Sequence, residues 1–298
     1  MNATKALKLA AGMLCAAATV SHAQTTTSFG GGDDLPQSIT LTGTVRDFQD
    51  SHPDFQRKPT AGFGHYVYMV ADSLDAEGKP VFASTGYKLT GDWRDSQNRK
   101  IMPPRDHLPM QESDSSGSTQ SSQGGALTTA SNFSQWFRDV PGVNISKPVS
   151  ITLTRAADSN VYVFDDKNDS LYQSRGGFFP IDNELYGNYA SYGKNFHFTY
   201  ELQTEFIYKE GTGQVFTFTG DDDVWVFIDG KCVIDIGGVH AAVNQTINLD
   251  RLEWLENGRS YELKFFFAER HVTQSNFRIE TTLNLRTVSM PATTALYD

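Results

Sequence analysis

The sequence lacks the features that cross-link a chain, attract polyanions or span a bilayer. Only two of its 298 residues are cysteines, and because Cys15 lies in an N-terminal apolar run that we expect to be removed, Cys232 has no predicted disulfide partner. The 25 lysines and arginines form no cluster or stripe, and the formal net charge is −10, so nucleic acid is not an expected partner. No apolar stretch after residue 23 is long enough to span a membrane.

The first 23 residues have the pattern of a secretory signal peptide. Residues 2–8 carry two lysines and no acid, residues 9–20 are apolar but too few to span a bilayer, and small residues follow at the cleavage positions. We therefore expect residues 1–23 to be removed during transit to the periplasm. The processed protein is expected to be secreted, either extracellular or held at the cell surface.

The remaining sequence has the pattern of short β-strands. Apolar, β-branched and aromatic runs alternate with turns rich in Gly, Asp and Asn, which predicts an all-β antiparallel β-sandwich over residues 38–288. A flexible leader at residues 24–37 and a C-terminal tail at residues 289–298 are expected to flank it. We predict N-terminal extension strands at residues 39–48 and 66–70, and further strands at residues 150–154, 161–164, 195–208, 214–219, 224–228, 231–236, 246–249, 260–267 and 277–285.

Two of these strands are apolar on both faces. Residues 224–228 and 263–268 should therefore be covered by sheet on one side and by loops or a second layer on the other. Asp229 and Gly230 both tolerate positive φ, so they predict a two-residue hairpin at the end of the first of these strands.

Two segments depart from the strand pattern. About residues 111–131 are mostly Ser, Gly, Gln and Thr, a composition that predicts a disordered insertion. Residues 132–140 favour a short helix with Asn132 as its N-cap and three aromatic side chains on one face, and no other helix is predicted.

Three adjacent aspartates, Asp221, Asp222 and Asp223, separate two apolar runs. Gly220 precedes them and a bulky strand follows at once, so the carboxylates are held on a rigid edge. Because like charges repel, such a turn is stabilised when a hard cation lies between the carboxylate oxygens. The alternative interpretation is an ordinary solvated turn.

The best partner for this acidic turn is the connection at residues 269–276. It offers the Glu269 carboxylate, the Ser275 hydroxyl, the Asn276 side-chain carbonyl and free backbone carbonyls, which are ligands suited to Ca²⁺ rather than zinc. We predict a calcium site between the two segments, although an ordinary polar connection remains the alternative. His240 is a candidate for supporting the ligands from a neighbouring loop.

Other metal and catalytic patterns are weak. Residues 165–169 begin like an EF-hand loop but lack its later glycine and glutamate, which favours a solvated turn. No zinc, P-loop or nucleophile-elbow spacing occurs. Acidic residues such as Asp182, Glu184, Glu201 and Glu253 could pair as glycosidase catalysts only by chance. We therefore predict that the protein is not an enzyme.

Eight motifs give a family resemblance that covers about residues 39–285. They are GTVRDF (43–48), HPDF (52–55), WFRDVPGVN (136–144), FFPID (178–182), NFHFTYEL (195–202), FTFTGDDDVWVFIDG (216–230), GGVH (237–240) and FFFAERH (265–271). In this order they resemble the bacterial fibro-slime domain, whose C-terminal half is similar to the PA14 β-sandwich of secreted adhesins, lectin-like modules and carbohydrate-active enzymes.

The resemblance implies a calcium-dependent sugar site. In PA14-type lectins two consecutive aspartates, often joined by a cis peptide, bind Ca²⁺ and with it the hydroxyls of a sugar. The resemblance places this pair at Asp221 and Asp222, and it places the second calcium loop at residues 270–276 with Asn276 as a ligand. Further candidates for contact with the ion or the sugar are Asp223, where the family commonly has glycine, His240, Glu269, His271, Gln274 and Ser275.

The leading functional hypothesis is a secreted, non-enzymatic Ca²⁺-dependent protein that binds a glycan or extracellular polysaccharide and supports adhesion, as in a biofilm. A second hypothesis is a structural matrix component in which calcium only stabilises the fold and the protein self-assembles through sheet edges. A third is a glycan-active enzyme module.

Overall fold

The computed structural model of the chain describes residues 35–287. Its strands are β1 (Ser38–Phe48), β2 (Tyr66–Val67), β3 (Tyr87–Gly91), β4 (Trp93–Arg94), β5 (Lys100–Ile101), β6 (Ser118–Gln123), β7 (Asn144–Arg155), β8 (Tyr162–Asp165), β9 (Phe198–Ile207), β10 (Val215–Gly220), β11 (Asp223–Ile228), β12 (Lys231–Ile236), β13 (Val243–Asn248), β14 (Ser260–Glu269), β15 (Phe277–Thr281) and β16 (Arg286–Thr287). The helices are α1 (Ala130–Phe133), α2 (Ser170–Arg175) and a 3-10 turn at Leu249–Arg251. The expected signal peptide, the leader up to residue 34 and the C-terminal tail lie outside the described residues.

Eleven strands form one continuous antiparallel sheet. The order is β12-β11-β14-β9-β1-β7-β8-β15-β10-β13, with β16 beside β9. Two small sheets, β2-β3-β6 and β4-β5, are formed by the N-terminal part of the chain. The predicted all-β antiparallel fold is confirmed.

Aromatic side chains from the two halves of the large sheet meet in the core. The ring of Phe277 on β15 lies 5.3 Å from Phe265 and 5.2 Å from Phe267, both on β14. Phe218 on β10 packs 5.5 Å from Phe265. All four side chains are fully buried, and each contributes about 1.5–3 kcal/mol of hydrophobic stabilisation. This packing fixes β10 and β15 against β11 and β14.

The opposite face of β11 and β14 is also covered. Phe133 and Trp136 lie 5.6 and 6.1 Å from Trp225 of β11, and Phe137 lies 4.9 Å from Phe266 of β14. The prediction that these strands are buried on both faces is therefore confirmed. The covering layer is the aromatic segment around α1.

The helix predicted over residues 132–140 is shorter than expected. α1 is capped by Thr129, whose hydroxyl accepts from the backbone N–H of Asn132 at 3.1 Å. The Asn144 side chain then holds the carbonyls of Gln135 and Arg138 at 3.0 and 2.9 Å, which folds the segment into turns instead of a continuous helix. The aromatic side chains are buried as the sequence indicates.

A second helix, α2, was not predicted. Asp169 accepts from the backbone N–H of Leu171 and Tyr172, and Gly176 ends the helix in the left-handed conformation with φ 75°. An aspartate followed by a glycine seven residues later is a start and stop pair for a one-turn helix. These two residues are therefore a sequence signal for the helix, but the segment is too short to show the apolar periodicity by which helices are predicted.

Residues 111–131 fold as part of the domain, so the prediction of a disordered insertion is wrong. β6 pairs with β3, and nearly all of its side chains are exposed. Strand pairing uses backbone hydrogen bonds, which a Ser/Gln segment forms as readily as an apolar one. Ala126 and Leu127 then anchor the segment in the core.

The Asp229-Gly230 hairpin is confirmed, with φ of 51° and 73° at its two positions and antiparallel pairing of β11 with β12.

The strand predicted at residues 66–70 is only two residues long. Tyr68 has a φ of 61°, which ends the extended conformation after Val67.

Candidate functional site

Two strand connections lie side by side at one end of the sandwich. Residues 221–222 link β10 to β11, and residues 270–276 link β14 to β15. Because Gly220 pairs with Phe277 and Asp223 pairs with Ala268, the two connections are adjacent, as the sequence predicted. A side chain at Gly220 would lie 2.1 Å from the carbonyl oxygen of Asn276, so only glycine permits this approach.

Asp221 and Asn276 are in direct contact. Oδ1 of Asp221 accepts from the backbone N–H of Asn276 at 2.7 Å, and Oδ2 accepts from its side-chain amide at 2.7 Å. The peptide bond between Asp221 and Asp222 is cis. Burial raises the pKa of Asp221, against the opposing effect of these hydrogen bonds.

Asp222 is held by backbone donors from both neighbouring loops. Its Oδ1 accepts from the N–H of His240 at 3.2 Å, and its Oδ2 accepts from Arg270 and His271 at 3.2 and 3.1 Å. The side chain is 3% exposed, and burial raises its pKa well above the usual value. Arg270 opposes this rise, whereas Asp223 and Asp221 reinforce it.

Asp223 belongs to a buried salt bridge instead of the open acidic turn. Its carboxylate accepts from Nε of Arg270 at 2.5 Å and from the N–H of Gly238 at 2.7 Å. Arg270 in turn donates to the carbonyls of Asp54 and Ala126, so Asp223 is linked through it to the N-terminal layer. The expectation that Asp223 joins its neighbours in contacting a ligand therefore needs correction.

Glu269 has a buried carboxylate oxygen without a partner. The residue is 0% exposed, its Oε1 accepts from the N–H of His271 at 3.4 Å, and its Oε2 has no hydrogen-bond partner within residues 35–287. Burial and then the charges of Asp222 and Asp221 raise its pKa well above the usual value, against the smaller opposing effects of the Ser275 side chain and the His271 N–H. We call Asp221, Asp222 and Glu269 the acidic cluster.

The acidic cluster fits a cation in charge and in donor type. The buried cation beside it, Arg270, gives its side-chain donors to Asp223 and to the carbonyls of Asp54 and Ala126. Buried carboxylates without a counter-charge must take up protons or a cation. Carboxylate and amide oxygens are the ligands that Ca²⁺ prefers.

The acidic cluster is not a complete coordination shell. Within residues 35–287, no group of three or more His, Cys, Asp or Glu side chains converges as a ready-made metal centre. Ca²⁺ takes six to eight oxygen ligands, so the Asn276 side chain, backbone carbonyls and ligand or water oxygens would have to contribute.

Asp166 is a neighbour of the cluster that the sequence reasoning missed. It is buried, its Oδ1 accepts from the N–H of Phe277 at 3.0 Å, and burial, with the charges of Asp165 and Asp221, raises its pKa. Treating residues 165–169 as a solvated turn was therefore wrong for this residue. Only the pairing of β8 with β15, which sequence alone does not show, brings Asp166 beside Phe277, the residue after Asn276.

The remaining candidates have different surroundings. Burial and then the neighbouring His65 lower the pKa of His240 to about 3, and its buried Nε2 has no hydrogen-bond partner among the described residues. The His271 ring bonds to the carbonyl of Val272, and Gln274 is exposed. Ser275 is buried and donates to the Phe178 carbonyl at 2.8 Å, which anchors the loop to the core.

Comparison with known proteins shows what the part of the chain that contains this site is similar to. The PA14 domain family model matches residues 165–292, a range that contains the acidic cluster and Asn276. The chain is thus an all-β protein whose C-terminal half matches PA14, as the resemblance implied. Residues 35–164 precede the matched range.

The curated relatives include psi proteins of Dictyostelium discoideum. The chain is 36% identical to protein psiD over 84% of this chain and 42% of that protein. It is 30% identical to psiH over 84% of this chain and 31% of that protein, and 43% identical to psiR over 51% and 15%. The chain therefore spans less than half the length of these relatives.

The solved structures show only distant likeness. The PA14 domain of the MpAFP antifreeze protein is 10% identical, covers 89% of this chain and 100% of its own, and has a TM-score of 0.25. A β-glucosidase from Kluyveromyces marxianus is 12% identical over 28% of this chain and 11% of its own, with a TM-score of 0.21. Neither value is high enough to assign an activity.

Proposed function

We propose that the protein is a Ca²⁺-binding, non-enzymatic surface or matrix protein that binds a glycan and supports adhesion. The observation that carries this proposal is the buried acidic cluster, in which Oε2 of Glu269, near Asp221 and Asp222, has no hydrogen-bond partner within residues 35–287. The match of residues 165–292 to PA14, a domain often found in carbohydrate-binding proteins, supports the same function.

In this proposal Asp221, Asp222 and Asn276 hold the ion. The calcium ion supplies open coordination positions that vicinal sugar hydroxyls can occupy. The backbone N–H groups of His240, Arg270 and His271 hold the Asp222 carboxylate in place.

The test is calorimetry against a panel of glycans in calcium and in chelator. The proposal predicts binding to at least one glycan in calcium, no binding in chelator, and loss of binding in Asp222→Asn. Asp158→Asn is the control, because Asp158 is exposed and its φ of 52° suits asparagine. Circular dichroism establishes that the variants fold. Calcium-independent binding would contradict the proposal.

A structural role for calcium is the second candidate. The acidic cluster is almost completely buried, with Asp221 at 2% and Asp222 at 3% exposure, which favours an ion enclosed by the fold. In this case calcium raises the unfolding temperature but no glycan binds. Self-assembly through sheet edges would then appear as calcium-dependent oligomers in analytical ultracentrifugation.

The ion pairs of the scattered carboxylates support a non-enzymatic function. Asp182 pairs with Lys194 at 2.7 Å, Glu201 with Arg46 at 2.9 Å, and Glu184 with Lys147. Each is engaged with a cation in a way that does not suit a general acid. Glycan cleavage that persists in Asp222→Asn would contradict this part of the proposal.

Secretion to the cell surface is part of the same proposal. It is supported by the signal-peptide pattern of residues 1–23. None of the helices in residues 35–287 is long and apolar enough to cross a membrane. We also propose that residues 39–285 form one fibro-slime-type unit, because both the PA14-matching part and the preceding strands carry its motifs.

A further inference from the structure

Phe63 is an exposed aromatic residue on a firmly anchored loop. It lies between Gly62 and Gly64, whose φ values of 79° and 149° turn the chain outward, and it is 42% exposed. The loop is fixed on both sides: Tyr66 donates to the Gly62 carbonyl at 2.6 Å, and the Gly64 N–H donates to Val239 at 2.7 Å. The hydrogen bonds on both sides of the loop therefore hold Phe63 in its exposed position.

This loop touches both segments that hold Asp222. The ring centroid of Phe63 lies 4.8 Å from that of His271, whose N–H donates to Asp222. On the other side, Gly64 bonds to Val239, next to His240, the third backbone donor to Asp222. Phe63 therefore stands beside the candidate cation site, although it lies outside the residues that match PA14.

An exposed aromatic ring beside a polar site has a specific use in sugar binding. One face of many pyranose rings presents only C–H groups, while hydroxyl groups project from the ring edge. A flat apolar ring contacts that face, whereas carboxylates and a cation contact the hydroxyls. The His271 ring contacts the Phe63 ring at an interplanar angle of 60°, and 42% of Phe63 remains exposed.

We propose that Phe63 is the stacking platform for a pyranose ring whose vicinal hydroxyls face the acidic cluster. The proposal rests on the proposed calcium-dependent glycan binding and adds the class of ligand: a pyranose with one unobstructed C–H face. It also assigns a binding role to the N-terminal part of the chain.

The test compares Phe63→Leu and Phe63→Trp with the wild-type protein, using calorimetry with the glycan that the panel selects. Phe63→Leu keeps an apolar side chain but removes the aromatic face, so affinity should fall about tenfold. Phe63→Trp should retain affinity within about threefold. Leu171→Ala, which truncates another exposed apolar residue at 48% exposure, should leave affinity unchanged.

The rise in unfolding temperature caused by Ca²⁺ tests ion binding separately from the role of Phe63 in glycan binding. It should be the same in Phe63→Leu and wild type, because Phe63 donates no ligand to the ion. Equal glycan affinity of Phe63→Leu and wild type would overturn the role of Phe63 while leaving calcium-dependent binding intact. If wild type binds no glycan in calcium, the proposed function fails and the role of Phe63 fails with it.

Discussion

At the scale of single residues, Glu269 carries the strongest electrostatic argument. Its carboxylate is fully buried at the end of β14, and its Oε2 has no hydrogen-bond partner in the described part of the chain. The charges of Asp222 and Asp221 add to the cost of ionising it. In metal-free protein this charge therefore lowers the free energy of unfolding, and a bound cation would offset that loss.

Glu269→Gln should make the metal-free protein more stable. Removing one buried negative charge should raise the unfolding temperature in chelator by about 2–4 °C, the shift expected for roughly 1 kcal/mol in a domain of this size. The further rise on adding calcium should shrink. Differential scanning fluorimetry measures both, with the exposed Glu256→Gln as control. A less stable variant in chelator would contradict the argument.

His197 gives a residue-scale prediction that is independent of calcium. Burial lowers its pKa to about 4 from 6.5, so the stability that its neutral form contributes is present above pH 6.5 and is lost as pH falls toward 4. As the pH falls from 6.5 to 4, wild type should therefore lose at least about 1 kcal/mol of its free energy of unfolding relative to His197→Gln. Urea unfolding at several pH values measures it. A constant difference would show that His197 does not titrate with folding.

The sequence predicted part of the site residue by residue. Asp221 and Asn276, which the sequence assigned to one site, are in direct contact, because strand neighbours determine which connections meet. The sequence did not show that Asp223 differs in role from Asp221 and Asp222, because its contact with Arg270 depends on which face of β11 it occupies. Asp166 was missed because its place depends on the pairing of β8 with β15.

At the scale of elements, the Asp223–Arg270 pair joins the first residue of β11 to the residue that follows β14. Arg270 also donates to the carbonyls of Asp54 and Ala126 and stacks 5.1 Å from Trp136. It thereby ties the N-terminal layer to the sandwich. Its side chain is almost completely buried.

Arg270→Met should destabilise the protein by about 3–5 kcal/mol, because it leaves Asp223 buried and unpaired. Urea unfolding measures the loss, which should persist in chelator. The matched control is Arg259→Met, because the Arg259–Glu256 pair is largely exposed and should contribute less than about 1 kcal/mol. A loss as small as the control's would contradict the proposed role of Arg270.

β6 gives a second prediction at this scale. Its pairing with β3 should protect backbone amides of Ser118–Gln123 from hydrogen exchange, most strongly where they face β3. Mass spectrometry of the exchanged protein measures the protection. Exchange at the rate of an unstructured peptide would restore the original interpretation of a disordered insertion.

Elements with apolar periodicity were predictable, and the others were not. The two-sided apolar strands and the Asp229-Gly230 hairpin have strong local signals. β6 has none, because its stability comes from backbone pairing with a distant strand. α1 differs from its prediction because Asn144, fourteen residues from Ala130, redirects the chain.

At the scale of the whole molecule, the part of the chain before residue 165 contributes both to the core and to the surroundings of the candidate site. It covers the outer face of β11 and β14 with aromatic side chains and places Phe63 beside His271. The sandwich and its N-terminal cover thus form one core, and the acidic cluster lies where they meet. We propose that this cluster binds calcium.

Isothermal calorimetry, with Ca²⁺ titrated into metal-stripped protein, measures this binding. We expect one ion per chain, with affinity reduced at least about tenfold in Asp222→Asn and unchanged in Asp158→Asn. An absence of calcium binding by the folded wild-type protein would contradict it.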